Sequence, residues 1–285
     1  QNSFYSSLIY NSIIGSTLNK IKAGLNFSYD DFDEIVDQTK TSYNRIDNSI
    51  GGFFEYSYDS LDAVSLVAGI RYDIHNNLGS FFTPRFHLRY QPFEKSVLRL
   101  SAGTGRKSSN IFSENQNIFT SGRQIKISKE SGKFYGLDPE KAFNYGLSFR
   151  QGFFINNREG DITFDYYVTD FENQVIIDWE TQGEVSFYNL DGKSFAKSLQ
   201  IDLEYQISNN ILIKSTFKNF DVKKQYKSGL KINPLTPKNR FFTNLEVSTN
   251  EKKNGSKWKF DFTYNWIGKQ RLPSHTELID FDGYS

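Results

Sequence analysis

The chain has 285 residues, with 34 Lys and Arg against 33 Asp and Glu, so its net charge of +1 gives no electrostatic footprint for a nucleic acid partner. It has no Cys, which excludes disulfide frameworks and thiolate metal sites, and three His leave little material for a zinc site. Mean hydropathy is −0.57 and no apolar run approaches 18 residues, so helical membrane spans are excluded.

Aromatic residues make up 16% of the chain, with 27 Phe, 17 Tyr and 3 Trp. They recur with a period of two. Val64, Leu66, Ala68, Ile70, Tyr72 and Ile74 alternate with Ser65, Val67, Gly69, Arg71, Asp73 and His75. Phe82, Pro84, Phe86, Leu88 and Tyr90 alternate with Thr83, Arg85, His87 and Arg89. Leu199, Ile201, Leu203 and Tyr205 repeat the pattern, as do Trp258, Phe260, Phe262, Tyr264 and Trp266. A period of two is that of a strand with two unlike faces, and no segment shows helical spacing. The fold class is all-β.

In chain order the pattern predicts about twelve strands, over 3–14, 18–29, 49–59, 63–75, 81–91, 96–107, 141–155, 161–179, 194–208, 211–222, 240–250 and 257–268. Many are ten residues or longer, against about five or six in ordinary globular strands and about nine to eleven in strands that cross a bilayer at a tilt. Connections alternate between short (15–17, 60–62, 91–95, 156–160, 208–210) and long (30–48, 107–140, 180–193, 223–239), with 76–80 as a short exception. Tight turns at one end and long loops at the other are the arrangement of an antiparallel transmembrane β-barrel. Rings near strand ends (Tyr56, Tyr58, Tyr90, Phe143, Tyr145, Trp179, Tyr264, Trp266) suit the two membrane interfaces. On that reading the charged face, with Arg71, Asp73, Arg85, Arg89, Arg99, Arg150, Asp202, Glu204 and Asp261, lines the lumen. A soluble sandwich would show the same alternation, and strand length and loop asymmetry are what weigh against it.

The segment 107–140 is the longest connection, and loops of that length in compact folds are functional or disordered. Arg106, Asn110, Asn115, Gln116, Asn117 and Arg123 are its candidate ligand contacts, and packing of Ile111, Phe112, Ile118 and Phe119 on neighbouring loops is the competing role. The acidic run Asp30, Asp31, Asp33, Glu34 and Asp37 lacks the spacing of a calcium loop and reads as a solvated loop. A hairpin turning near Leu78 would place His87 opposite Gly69, away from His75, so no metal pair forms. No catalytic constellation emerges, and neither cofactor nor metal is expected.

Three stretches carry a family resemblance. They are Pro84-Arg85-Phe86-His87-Leu88-Arg89-Tyr90-Gln91-Pro92 with Leu98-Arg99-Leu100-Ser101-Ala102-Gly103-Thr104-Gly105-Arg106, then Leu137-Asp138-Pro139-Glu140-Lys141-Ala142-Phe143, then Ser198 to Gln206 followed by Leu235-Thr236-Pro237-Lys238-Asn239-Arg240. In order and spacing they resemble the C-terminal part of the barrel of a TonB-dependent outer-membrane receptor. The resemblance implies twelve strands of a barrel of about 22, a chain that is a piece of a longer protein, and a location in the bacterial outer membrane. It also implies import of a scarce nutrient such as a ferric siderophore, cobalamin or an oligosaccharide. Its implied partners are an N-terminal plug domain of the same protein, the energy-coupling TonB complex acting through that plug, outer-membrane lipid, the nutrient ligand and a surface lipoprotein. The sequence ends Phe281-Asp282-Gly283-Tyr284-Ser285 and departs from the family's terminal aromatic residue. The rival readings are a passive porin or export channel, and a soluble carbohydrate-binding sandwich.

Overall fold

The structure, a computed structural model, describes residues 1–36, 41–60, 63–128 and 135–273. Twelve long strands form one antiparallel sheet in simple sequence order. They are β1 (Asn2–Ile14), β2 (Ser16–Phe32), β3 (Arg45–Asp59), β4 (Val64–His75), β5 (Gly79–Tyr90), β6 (Ser96–Lys107), β7 (Glu140–Ile155), β8 (Arg158–Asn173), β9 (Ser194–Ser208), β10 (Ile211–Tyr226), β11 (Asn239–Ser248) and β12 (Lys259–Ile267). β1 and β12 form the two edges of the ladder, and the sheet is not closed into a cylinder.

Register explains the two faces. Val64, Tyr90, Leu98, Phe149, Phe164, Ile201, Phe217, Phe241 and Trp266 stand opposite one another strand by strand, an apolar row across nine strands. The neighbouring row reads Arg89, Arg99, Ser148, Asp165, Gln200, Lys218 and Arg240. A one-residue slip would exchange the two rows. Side chains of the apolar face stand open, as with Leu8 at 71%, Phe82 at 62% and Phe262 at 61% exposed. A soluble sandwich must cover such a face with a second sheet. Here the strands are 9 to 17 residues long, enough to cross a bilayer, and lipid is the solvent that suits them.

At the short-turn end, β7 and β8 are joined by Asn156-Asn157, both at positive φ (51° and 58°), the tight hairpin geometry that Asn tolerates. The opposite end holds nearly all the buried apolar residues described. Val36, Ile111, Phe112, Ile118, Tyr135, Leu137, Val175, Val185 and Phe187 form one cluster, drawn from three connections, with Tyr43, Leu78 and Trp179 packed against it. The core of this chain is a loop layer, because neither sheet face has a layer to pack on.

Several expectations are corrected here. The strand expected over 161–179 leaves the sheet after Asn173. Residues Val175–Asp178 pair instead with Glu184–Asn189, which pairs in parallel with Gln124–Ile127. Burying Val175 and Ile176 in the loop layer drives that departure. Trp179 consequently sits in the loop layer rather than in a ring at the membrane interface. The long loops are partly ordered: Ser113–Thr120 is a 3-10 segment, β2 and β3 extend into 30–48, and β10 continues to Tyr226 and pairs with Gly229–Ile232. His87 stands opposite Val67 and Arg85 opposite Gly69, since the turn is the three residues between His75 and Gly79. Asp37 and the chain end 274–285 lie outside the described residues.

Candidate functional site

Two places gather the residues singled out by sequence. The first is the loop layer. Arg45, at the start of β3, is its hub. Its guanidinium lies 4.0 Å over Phe32, donates to Tyr135 Oη at 3.3 Å and to Asp47 Oδ2 at 3.3 Å, and donates to Asn110 Oδ1. Tyr135 in turn donates to the Glu34 carboxylate. Burial pushes the Tyr135 phenol above its ordinary pKa, and the hydrogen bond to Glu34 adds to the shift. Burial acts the same way on Tyr188, which donates to Asp178 Oδ2.

The candidate loop contacts divide. Asn110 accepts from Arg45, and Asn115 Nδ2 donates to Ile111 O at 2.8 Å, so both brace the loop. Arg123 lies 5.4 Å over Trp179 and donates to the carbonyls of Trp179 and Glu184 at 3.3 and 3.4 Å, tying two loops together. Gln116 and Asn117 are exposed. Ile111, Phe112 and Ile118 are buried, whereas Phe119 is 40% exposed. Of the acidic run, Glu34 serves Tyr135 and Arg45, and Asp30 accepts from Ser3 Oγ at 2.6 Å. Among the described residues no cluster of His, Asp and Glu could hold a metal ion.

The second place is a cavity of about 650 Å³ on the charged face, under the turn between β4 and β5. Lys22, Arg71, Arg85 and Arg106 line it, with Asp73, His75, Phe53 and Phe81. Arg71 grips Asp73 through two bonds, Nε to Oδ2 at 2.6 Å and Nη2 to Oδ1 at 2.5 Å. Arg85 donates to Glu55 across the strands. Arg106 Nη1 donates to Leu78 O at 3.2 Å. His75 Nδ1 accepts from the backbone N–H groups of Asn77 and Leu78 at 3.1 and 3.2 Å, so this histidine caps the turn. Four cations against Asp73 among the lining side chains, with Glu55 alongside, favour an anionic guest.

Several of the other charged-face residues find partners on the sheet itself. Arg150 Nε donates to Asp161 Oδ1 at 2.6 Å, Lys214 meets Glu204 at 2.9 Å, and Asp202 accepts from Gln200 and Thr216. Arg89 stands opposite Arg99 and donates to Gln91 at 2.7 Å, while Asp261 stands opposite Glu246, which Lys259 reaches at 2.6 Å. Sequence reasoning missed Lys22 and Phe53 at the cavity. The alternation through β2 and β3 carries them, since Lys22 and Gly24 share a face and Phe53 stands opposite Gly24.

A family model described as "TonB dependent receptor-like, beta-barrel" matches residues 1–285. No curated protein matches the chain in sequence. Solved structures do match in fold. The ferric enterobactin receptor PfeA of Pseudomonas aeruginosa superposes with a TM-score of 0.69 at 14% identity, over 95% of this chain and 41% of that one. The siderophore receptor PirA of Acinetobacter baumannii gives 0.62 at 13% identity, over 94% and 43%. The FrpB iron transporter of Neisseria meningitidis gives 0.58 at 14% identity, over 90% and 43%. The chain thus spans less than half the length of each of these structures.

Proposed function

From the premise that this chain belongs to the TonB-dependent receptor β-barrel family, whose members are outer-membrane proteins of Gram-negative bacteria, we propose that it is part of a receptor that imports a ferric siderophore. The family is one of transport receptors rather than enzymes. The observation that carries the substrate class is the cavity of about 650 Å³ on the charged face, with Lys22, Arg71, Arg85 and Arg106 around it. Ferric chelates with catecholate or carboxylate arms are anionic, and cations in a confined site attract them. The similar structures of a ferric enterobactin receptor and a siderophore receptor point the same way.

On this reading each part has a task. The open apolar face meets lipid, and the ladder satisfies the backbone there. The charged face lines the lumen, where Arg71, Asp73, Arg85, Arg89, Arg99, Arg150, Asp202, Glu204 and Asp261 face a plug domain of the same protein. The loop layer selects the ligand through the exposed Gln116 and Asn117, with Asn110, Asn115 and Arg123 holding its shape. The TonB complex acts through the plug to open the path, and a surface lipoprotein is a further partner at the loops.

The test is binding to the full-length receptor in outer-membrane vesicles, read by quenching of aromatic fluorescence. A ferric catecholate chelate is expected to bind, and the double variant Arg71→Ala/Arg85→Ala to weaken it at least tenfold. Equal affinity for the anionic chelate and for a neutral one, in parent and variant alike, would refute the substrate class.

A further inference from the structure

The wall of the sheet is split between β5 and β6. Their register runs only from Arg85 opposite Gly103 to Tyr90 opposite Leu98. Above that, β5 stays on β4 as far as Gly79, and β6 stays on β7 as far as Lys107. The split begins at Pro84, which has no N–H to give and whose carbonyl oxygen already lies 3.3 Å from where a Cβ on Gly103 would stand. The gap runs along four residues of β6, Thr104 to Lys107, or about 13 Å at the rise of a strand.

Cavities meet at this gap from both sides of the wall. The cavity of about 650 Å³ and a second of about 400 Å³ share Phe81, Thr83, Thr104, Gly105 and Arg106. The second takes lining from Phe82 and Phe143 of the apolar face and from Phe81 and Thr83 of the charged face, so it borders both faces of the wall at the gap. Gly105 faces open space. Arg106 crosses the opening, with Nη1 on Leu78 O at 3.2 Å and its guanidinium 4.9 Å over Phe81. The ring pairs Tyr72–Phe82 and Phe143–Tyr145, at 4.6 and 5.4 Å, flank the base of the gap. Aromatic pairs of that kind mark the membrane interface, so the gap stands where its open backbone is hydrated.

We infer that this gap is a side port through the barrel wall beneath the loop layer, closed over by the Arg106 side chain and admitting small hydrophilic anions towards Arg71 and Arg85. The inference rests on the barrel placement given under the proposed function and not on the identity of the imported chelate.

These 285 residues hold no Cys, so in a full-length receptor cleared of any Cys elsewhere the introduced one is the single thiol. Cells carrying the full-length receptor with Thr83→Cys are treated with an anionic methanethiosulfonate sulfonate, and the labelling rate is followed. Labelling is expected to rise at least threefold with Arg106→Ala and to fall at least tenfold with Gly105→Trp. The cationic trimethylammonium analogue is expected to react more slowly than the sulfonate. A Ser113→Cys control on the exposed loop surface is expected to react at one rate in all three backgrounds, and its surface labelling also reports assembly. Should Gly105→Trp fail to assemble, the Arg106→Ala comparison decides alone. Absence of labelling at Thr83→Cys, or one rate in every assembled background, overturns the port. Loss of siderophore binding leaves these rates unchanged, so the two readings fail separately.

Discussion

Gly51 of β3 stands directly opposite Asp73 of β4, and the space left by its missing side chain is filled by the ion pair between Asp73 and Arg71. A Cβ on Gly51 would collide with Asp73 Oδ1 and stand 2.9 Å from Arg71 Nη2. Gly51→Ala is therefore expected to destabilise the β3–β4 pair by about 1–3 kcal/mol, the usual cost of overpacking. Gly52→Ala, whose nearest side-chain neighbour is Leu25 at 3.4 Å, is expected to cost less. Urea unfolding of the receptor refolded in detergent, compared between the two variants, checks this.

Glu180 is 6% exposed in its side chain and is held by Lys231 at 3.0 Å and by Arg271 at 2.7 and 3.1 Å. Arg271 lies beyond β12 and also donates to Ile232 O at 2.6 Å, so one carboxylate joins three segments of the loop end. Removing one member of a buried pair leaves uncompensated charge, at a cost of about 3 kcal/mol. Glu180→Ala is expected to speed hydrogen exchange across 227–238 about a hundredfold while the strands of the sheet keep their protection. Unchanged exchange in that segment would contradict the role given to Glu180.

Phe187 is fully buried in the loop layer. Phe187→Ala is expected to cost about 3–5 kcal/mol there, through lost burial and a cavity. Because the core is separate from the sheet, the barrel is expected to remain folded. Limited proteolysis of intact cells should then cut the loops of the variant and spare those of the parent, with equal amounts of barrel in the membrane.

Tyr135 and Tyr188 are both raised above the ordinary phenol range by burial, and each donates to a carboxylate. A phenol raised in the folded state stabilises it fully below the unfolded value of about 10, and that stability is lost as pH climbs above it. The loop layer is expected to loosen above about pH 10, at pH values the sheet tolerates. Absorbance titration at alkaline pH should show late-ionising phenols whose number falls by two in Tyr135→Phe/Tyr188→Phe, with Tyr226, also raised by burial, remaining.

Most of the sheet was legible because lipid imposes a strict rule. Each crossing strand needs about nine to eleven residues of alternation, and residues 82–90 of β5 and 199–207 of β9 show it without interruption. The register of the polar and apolar rows follows from the same alternation. What was not legible lies where alternation stops. Val175 and Ile176 are apolar residues that follow β8 closely in sequence, yet their burial against other loops takes them off the sheet. Arg123 and Asn115 read as candidate ligand contacts; Asn115 instead braces its own loop on Ile111 O, and the bonds of Arg123 to carbonyls of another segment depend on long-range packing that no local pattern encodes. Lys22 and Phe53 were within reach, since their faces follow from strand parity, but the cavity they line is assembled from five strands and the turn between β4 and β5, which no local pattern brings together.

Energised uptake of an iron-labelled ferric siderophore by cells carrying the full-length receptor tests the central claim most directly, measured with and without a proton-motive-force uncoupler. The account predicts accumulation that saturates with chelate concentration and collapses when the uncoupler is added. Flux that rises linearly with concentration and persists in the presence of the uncoupler would contradict it, and would mark the barrel as a passive pore.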